Sequence, residues 1–170
     1  MNETPPPTQK MTRWGIGPKW VRACILCLAP FIVMGAIWPN VFAVHVVPRG
    51  VQRIAGLLLL AAGIPFGVIA LMTLHRGFVR GELFTRGVYG LCRHPIYASW
   101  IVFLVPGMLL LWGSWAFAIA PAVMYVLLRF LVRAEETWLE QTFQDRYRAY
   151  RRRVPAVLPL PRFWRSRDQA

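Results

Sequence analysis

Two long apolar runs, Trp20 to Trp38 and Val51 to Leu74, limit what this chain can fold into more than any other feature. Crossing hydrocarbon about 30 Å thick takes about 20 helical residues, and both runs are long enough. Two further runs, Ile96 to Trp112 and Trp115 to Val132, lie near that limit. Only Gly113-Ser114 separates them, so they read as a tight helical hairpin. Helices are required because an open sheet edge leaves its backbone unsatisfied in lipid. Composition agrees, with 56% hydrophobic residues among 170 and a mean hydropathy of +0.43. The expected fold is an all-α integral membrane protein of about four transmembrane helices, the last extended into the cytoplasm.

The net charge of +13 falls in blocks. Lys10, Arg13, Lys19 and Arg22 precede or open the first run, and Arg76, Arg80, Arg86 and Arg93 separate the second from the third. Arg146, Arg148, Arg151, Arg152, Arg153, Arg162, Arg165 and Arg167 follow the fourth. The opposite loops carry only Arg49 and Arg53. The positive-inside rule then places both termini and the loop from Arg76 to Arg93 in the cytoplasm. Basic blocks that flank spans on one side point to membrane lipids as partners rather than to nucleic acid. The first run has no small-residue cleavage site after it and reads as a retained anchor. Residues 1–18 are expected to be a disordered tail, Pro- and Thr-rich over Met1 to Gln9. Residues 19–75 hold the first two spans, 76–155 the region with chemistry, and 156–170 a basic tail.

Cys24 and Cys27 form a CxxC inside an apolar span and read as small buried residues. Cys92 reads as a free thiol. Gly56, Gly63 and Gly67 would admit a close neighbouring helix. Pro65, Pro106-Gly107 and Pro121 would bend their spans. His75 to His94 has no helical or strand period but many glycines and arginines. It reads either as an interfacial loop meeting headgroups or as a cradle for a polar ligand. No metal site is expected, since His45, His75 and His94 are far apart.

The fourth run continues as a helix past the membrane. Leu128, Leu131, Val132, Glu135 and Leu139 make one stripe, and Arg129, Arg133, Glu136 and Glu140 another. On this reading Glu136 is solvated or salt-bridged. Glu135 faces the protein and needs a partner, from Arg93, His94 or a ligand. His94-Pro95 opens the third run, where a helix N-terminus favours carboxylates, and Tyr97 lies one turn in. Phe143 to Pro155 is amphipathic and either lies on the membrane or folds under the loop, with Tyr147 and Tyr150 packing there.

Three strings in order, G-V-Y-G-L-C-R-H-P-I-Y (Gly87 to Tyr97), E-E-T-W-L (Glu135 to Leu139) and F-Q-D-R-Y-R-A-Y-R-R-R-V-P (Phe143 to Pro155), resemble the isoprenylcysteine carboxyl methyltransferase family and its phospholipid N-methyltransferase relatives. The resemblance covers residues 81 to 155. It implies a membrane enzyme that uses S-adenosylmethionine without a Rossmann domain. The cofactor would contact Gly81, Glu82, Leu83, Phe84, Tyr89, His94, Pro95, Ile96, Tyr97 and Glu135. The family places a substrate-side arginine about one turn before that glutamate. Here Leu131 holds the position, and Arg129 and Arg133 beside it become the candidates to orient a carboxylate substrate. Relatives usually have Gly where this chain has Gln144. The implied reaction is direct displacement of the sulfonium methyl by a lipophilic or lipidated acceptor. Two rivals remain: an NADPH-dependent membrane reductase of the sterol-reductase kind, and a non-enzymatic module binding anionic lipid. Ile96 before Tyr97, Ala98-Ser99 after it, and the Phe-x3-Tyr-x2-Tyr tail disfavour the first. Glu135 on an apolar stripe disfavours the second.

Overall fold

The computed structural model describes residues 15–41, 43, 47–113, 115 and 119–157, with backbone only for 78–80. The described residues form helices and no β-strand. They are α1 (Gly17–Ile37), α2 (Arg49–Arg80), α3 (Val88–Leu91), α4 (Pro95–Ala98), α5 (Val105–Trp112) and α6 (Ile119–Arg153), with a π-helical stretch, Ser99–Leu104, joining α4 to α5. The residues expected to form the disordered tail, apart from 15–18, and the basic tail beyond 157 lie outside the described residues.

Gly17–Ile37, Arg49–Gly77 and Pro95–Trp112 are long and apolar enough to cross a membrane. Their outward side chains, such as Leu26, Ile54 and Leu58, are exposed. Such an apolar surface suits lipid rather than water. Among the described residues three helices meet the criterion; the expected fourth run starts at Trp115, and residues 116–118 of it lie outside the described residues.

The third span packs along α2 through missing side chains. A Cβ on Gly56 would lie 2.8 Å from the Gly107 carbonyl oxygen, and one on Gly63 would run into Phe103 Cβ. Small residues there let two backbones touch. The π-helical stretch ends just before Pro106, which has no N–H and whose ring crowds the preceding turn. Pro30 and Pro65 lie inside continuous helices.

The turn expected at Gly113-Ser114 lies partly outside the described residues. Gly113 caps α5 with a φ of 70°, and α6 begins at Ile119. The main partner of α6 is α1. Trp20 Nε1 donates to the Met124 carbonyl at 3.1 Å, and its ring meets Tyr97 edge-on at 5.0 Å. Trp20 and Cys24 join Met124, Leu128 and Val132 in the core, which also takes in Val157. The tail therefore stays in the core two residues past Pro155. Cys27 is exposed, and the three cysteines are free.

The irregular loop starts at Gly81, later than expected, because α2 runs on past His75 to Arg80. Gly81 ends it in the left-handed conformation (φ 63°) that glycine tolerates. α6 breaks once, at Gln144, whose φ of 44° and ψ of −123° are non-helical. The helix after the break turns back beneath the loop. Tyr150 there donates to the Tyr89 carbonyl at 2.6 Å.

Candidate functional site

At the end of the bundle where α2 ends and the third span begins, two backbone bonds fasten the start of α4. The N–H groups of Arg93 and His94 donate to the Pro155 and Ala156 carbonyls at 2.8 and 2.9 Å. This pins Arg93 and His94 against α6. Arg93 Nη2 then reaches Glu136 Oε1 at 2.6 Å, and His94 Nε2 lies 3.3 Å from the same oxygen. Arg93 Nη1 donates to the Arg151 and Val154 carbonyls. Arg151 adds a longer contact to Glu136, 3.8 Å.

The buried carboxylate is thus Glu136, which the sequence reading had as solvated or salt-bridged: it is salt-bridged, but buried. The burial repeat on α6 explains the difference: Ala120, Met124, Leu128, Val132 and Glu136 fall every fourth residue on one inward row. Burial by itself would raise the Glu136 pKa. The His94 hydrogen bond and the charges of Arg93, His94 and Arg151 outweigh it and hold the carboxyl at about 2, against an ordinary 4.5. Nearby, burial pushes the Cys92 thiol up to about 11, partly offset by a bond from the His94 backbone. A neutral thiol of that kind is a poor nucleophile.

Glu135, one position earlier, turns to a cavity of about 360 Å³. It does so on the row Glu135, Trp138, Leu139, Thr142 and Phe143, which follows helical spacing along α6. Its partners are looser than those of Glu136. Tyr97 Oη donates to Oε2 at 3.5 Å, and His94 Nδ1 lies 3.9 Å from Oε1. His94 thus sets Nε2 against Glu136 and Nδ1 toward Glu135, so the Glu135 carboxylate and Nδ1 stand side by side at the cavity wall.

Gly81 to Phe84, Tyr89, His94 to Tyr97 and Glu135 all line this one cavity. Gly77 contributes a close approach, since a Cβ there would meet the Phe84 ring at 2.6 Å. Tyr89 is held by its hydroxyl on the Ala70 carbonyl (3.3 Å). Arg129 and Arg133 do not join them. Both are exposed, and Arg133 lies 5.8 Å from the Phe130 ring centroid. At about 100° per residue, Arg133 points roughly 200° and Arg129 roughly 240° around the helix from Glu135. Neither lines the cavity. The sequence reading missed Trp138, Thr142 and Tyr147 as lining residues. The signal for the first two was present, at i+3 and i+7 from Glu135. Tyr147 lies beyond the break at Gln144, where that period no longer applies.

Burial, then the Glu136 charge, pushes the Tyr147 phenol well above its usual range, so it stays a proton donor. Tyr89 and Tyr150 are raised as well, chiefly by burial. Among the described residues no group of three potential metal ligands occurs. The described side chains lining the cavity thus offer an acidic corner, several fixed donors and otherwise apolar walls.

The chain is 30% identical to the protein-S-isoprenylcysteine O-methyltransferase of Rattus norvegicus over 115 residues, 62% of this chain and 40% of that protein. Its Schizosaccharomyces pombe counterpart is 30% identical over 78 residues, 46% of this chain and 33% of that protein. The Mus musculus protein is 31% identical over 78 residues, 46% of this chain and 28% of that protein. The chain therefore matches well under half the length of these relatives. No solved structure matches it. The model of one family, phospholipid methyltransferase, matches residues 51–146, which span α2 through the cavity-lining face of α6. That match covers more than half of the chain, and this protein belongs to the phospholipid methyltransferase family.

Proposed function

We propose that this protein is an S-adenosylmethionine-dependent methyltransferase that acts on a lipophilic acceptor reaching the cavity from the bilayer. One observation carries the reading: Glu135 stands with His94 Nδ1 at the wall of a mostly apolar cavity, at the end of membrane-crossing helices, in a chain of this family. Positive charge at Lys19, Arg22, Arg76, Arg86 and Arg93 marks that same end, which supports a cytoplasmic site.

The residues suit the methyl donor. Its size falls within the range of cavities of about 300–1,000 Å³ that take small molecules. The Glu135 carboxylate at the cavity wall suits an ammonium group bound against it. When bound, the donor supplies a sulfonium methyl for direct displacement. The protein's part is positioning and exclusion of water. Glu135, with His94 beside it, would hold the amino group, Tyr97 steadies Glu135, and Leu83, Phe84 and Leu139 keep solvent away. Glu136 acts indirectly by fixing the His94 ring. A carboxylate acceptor needs no general base, because it is already ionised at neutral pH.

The names of the relatives favour an isoprenylated cysteine carboxylate, and that of the family model favours a phospholipid amine. The test is methyl-labelled S-adenosylmethionine given to the protein in vesicles with either S-farnesylcysteine or phosphatidylethanolamine. Label in an alkali-labile ester is the expected result, and alkali-stable label would assign the amine. No transfer to either by folded protein would overturn the reading.

A further inference from the structure

Buried side-chain donors without a partner are uncommon in folded proteins. Among the described residues three of them belong to side chains lining the one cavity: Arg93 Nε, Trp138 Nε1 and Tyr147 Oη. Tyr147 is wholly buried, and the Arg93 side chain is 8% exposed. Each atom has a hydrogen to give. Leaving a buried donor unmatched is costly, so three on side chains that line one cavity favour whatever brings acceptors to them.

The chemistry of the missing partner follows from the donors. A hydroxyl, an amide or a water would bring hydrogens of its own, which then need acceptors. A carboxylate brings only acceptors, about four lone-pair sites on two oxygens. Its bonds to a guanidinium N–H are charge-assisted and stronger than neutral ones. Among the described residues Arg93 is the only arginine or lysine lining the cavity. Tyr147 lies within reach of the charges of Arg93 and Arg151 as well as those of Glu136 and Glu135. Glu136 is already taken up by Arg93 Nη2 and His94. Arg93 Nε is free of that pairing and points its hydrogen elsewhere.

We propose that Arg93 Nε, Trp138 Nε1 and Tyr147 Oη form a carboxylate-binding pole in the cavity, separate from the Glu135–His94 corner. It rests on the methyltransferase reading, which offers two carboxylates. One is the amino-acid carboxylate of the methyl donor. The other belongs to a prenylcysteine-like acceptor and disappears on methylation. The ester keeps a carbonyl acceptor but loses the charge and the second equivalent oxygen, so if the acceptor is the source the product is held more weakly than the substrate.

The experiment measures binding by calorimetry on detergent-purified wild type, Tyr147→Phe and Trp138→Phe, each first shown to melt cooperatively. Four probes are used: S-adenosylhomocysteine, its decarboxylated analogue, S-farnesylcysteine and its methyl ester. Removing one hydrogen bond to a charged partner is expected to weaken binding about 10- to 100-fold. If the methyl donor is the source, wild type prefers S-adenosylhomocysteine over the decarboxylated analogue and each variant loses that preference. If the acceptor is the source, the same holds for the farnesylcysteine acid over its ester. Trp138→Phe carries the test if Tyr147→Phe fails to fold. Binding with both carboxylate preferences absent in wild type, or undiminished in the variants, overturns the pole and leaves the methyltransferase reading standing. Folded wild type that binds none of the four probes removes both.

Discussion

Glu136→Gln separates a structural carboxylate from a ligand-facing one. The change keeps the shape of the side chain but removes its charge. Arg93 Nη2, 2.6 Å away with its side chain 8% exposed, then loses its counter-charge. Holding the carboxyl at about 2 rather than 4.5 corresponds to roughly 3 kcal/mol of favourable pairing at neutral pH. Breaking a buried pair by removing one partner costs about 3–5 kcal/mol, in agreement. At about 2–4 °C per kcal/mol for a chain of this size, the melting temperature should fall by about 6–20 °C. The sign of the pH dependence is set by the depressed pKa. The contribution is complete above 4.5 and fades as pH falls toward 2. The gap between wild type and variant should therefore be widest at neutral pH and close on acidification. Fluorescence-monitored melts of detergent-purified protein at pH 7, 4 and 3 measure it. A variant melting within about 2 °C of wild type at pH 7, or a gap that widens in acid, would refute the assignment.

Gln144→Gly should raise stability by about 1 kcal/mol, because strain of about 1–3 kcal/mol at a φ of 44° outweighs the entropy cost of glycine; a melt reads it, and a lower melting temperature would contradict it. Gly63→Val should destabilise by about 1–3 kcal/mol or more, since even a Cβ there meets Phe103; unchanged melting would mean that α2 and the third span are not in close contact. Arg129→Ala and Arg133→Ala should each leave S-adenosylhomocysteine affinity within about twofold of wild type, as surface changes away from the site do; calorimetry showing a tenfold loss would return these arginines to the site.

Much of this was legible in the sequence because lipid narrows the choices. The runs of apolar residues gave the spanning helices, and the glycines of α2 marked its contact face. The residues of the loop and of the start of α4 were readable as a group because they stand together in the chain. Two differences share one cause. Glu135 and Glu136 are neighbours on a helix with several plausible faces, and only packing against α1 decides which row is inward. The same rotation carries Arg129 and Arg133 away from the cavity. The break at Gln144 was beyond reach from periodicity, since nothing local forces a glutamine into that conformation. It brings Tyr147 to the cavity and Tyr150 to the loop.

The most direct test of the central claim is calorimetric binding of S-adenosylhomocysteine to wild type beside Glu135→Ala. Glu135 makes only loose contacts within the protein, so the variant should melt close to wild type. Binding by wild type with a loss of about 30-fold or more in the variant is the predicted result, the size expected for a charged partner removed. Equal binding by both proteins would contradict the role given to Glu135, and no binding by folded wild type would contradict the methyltransferase itself.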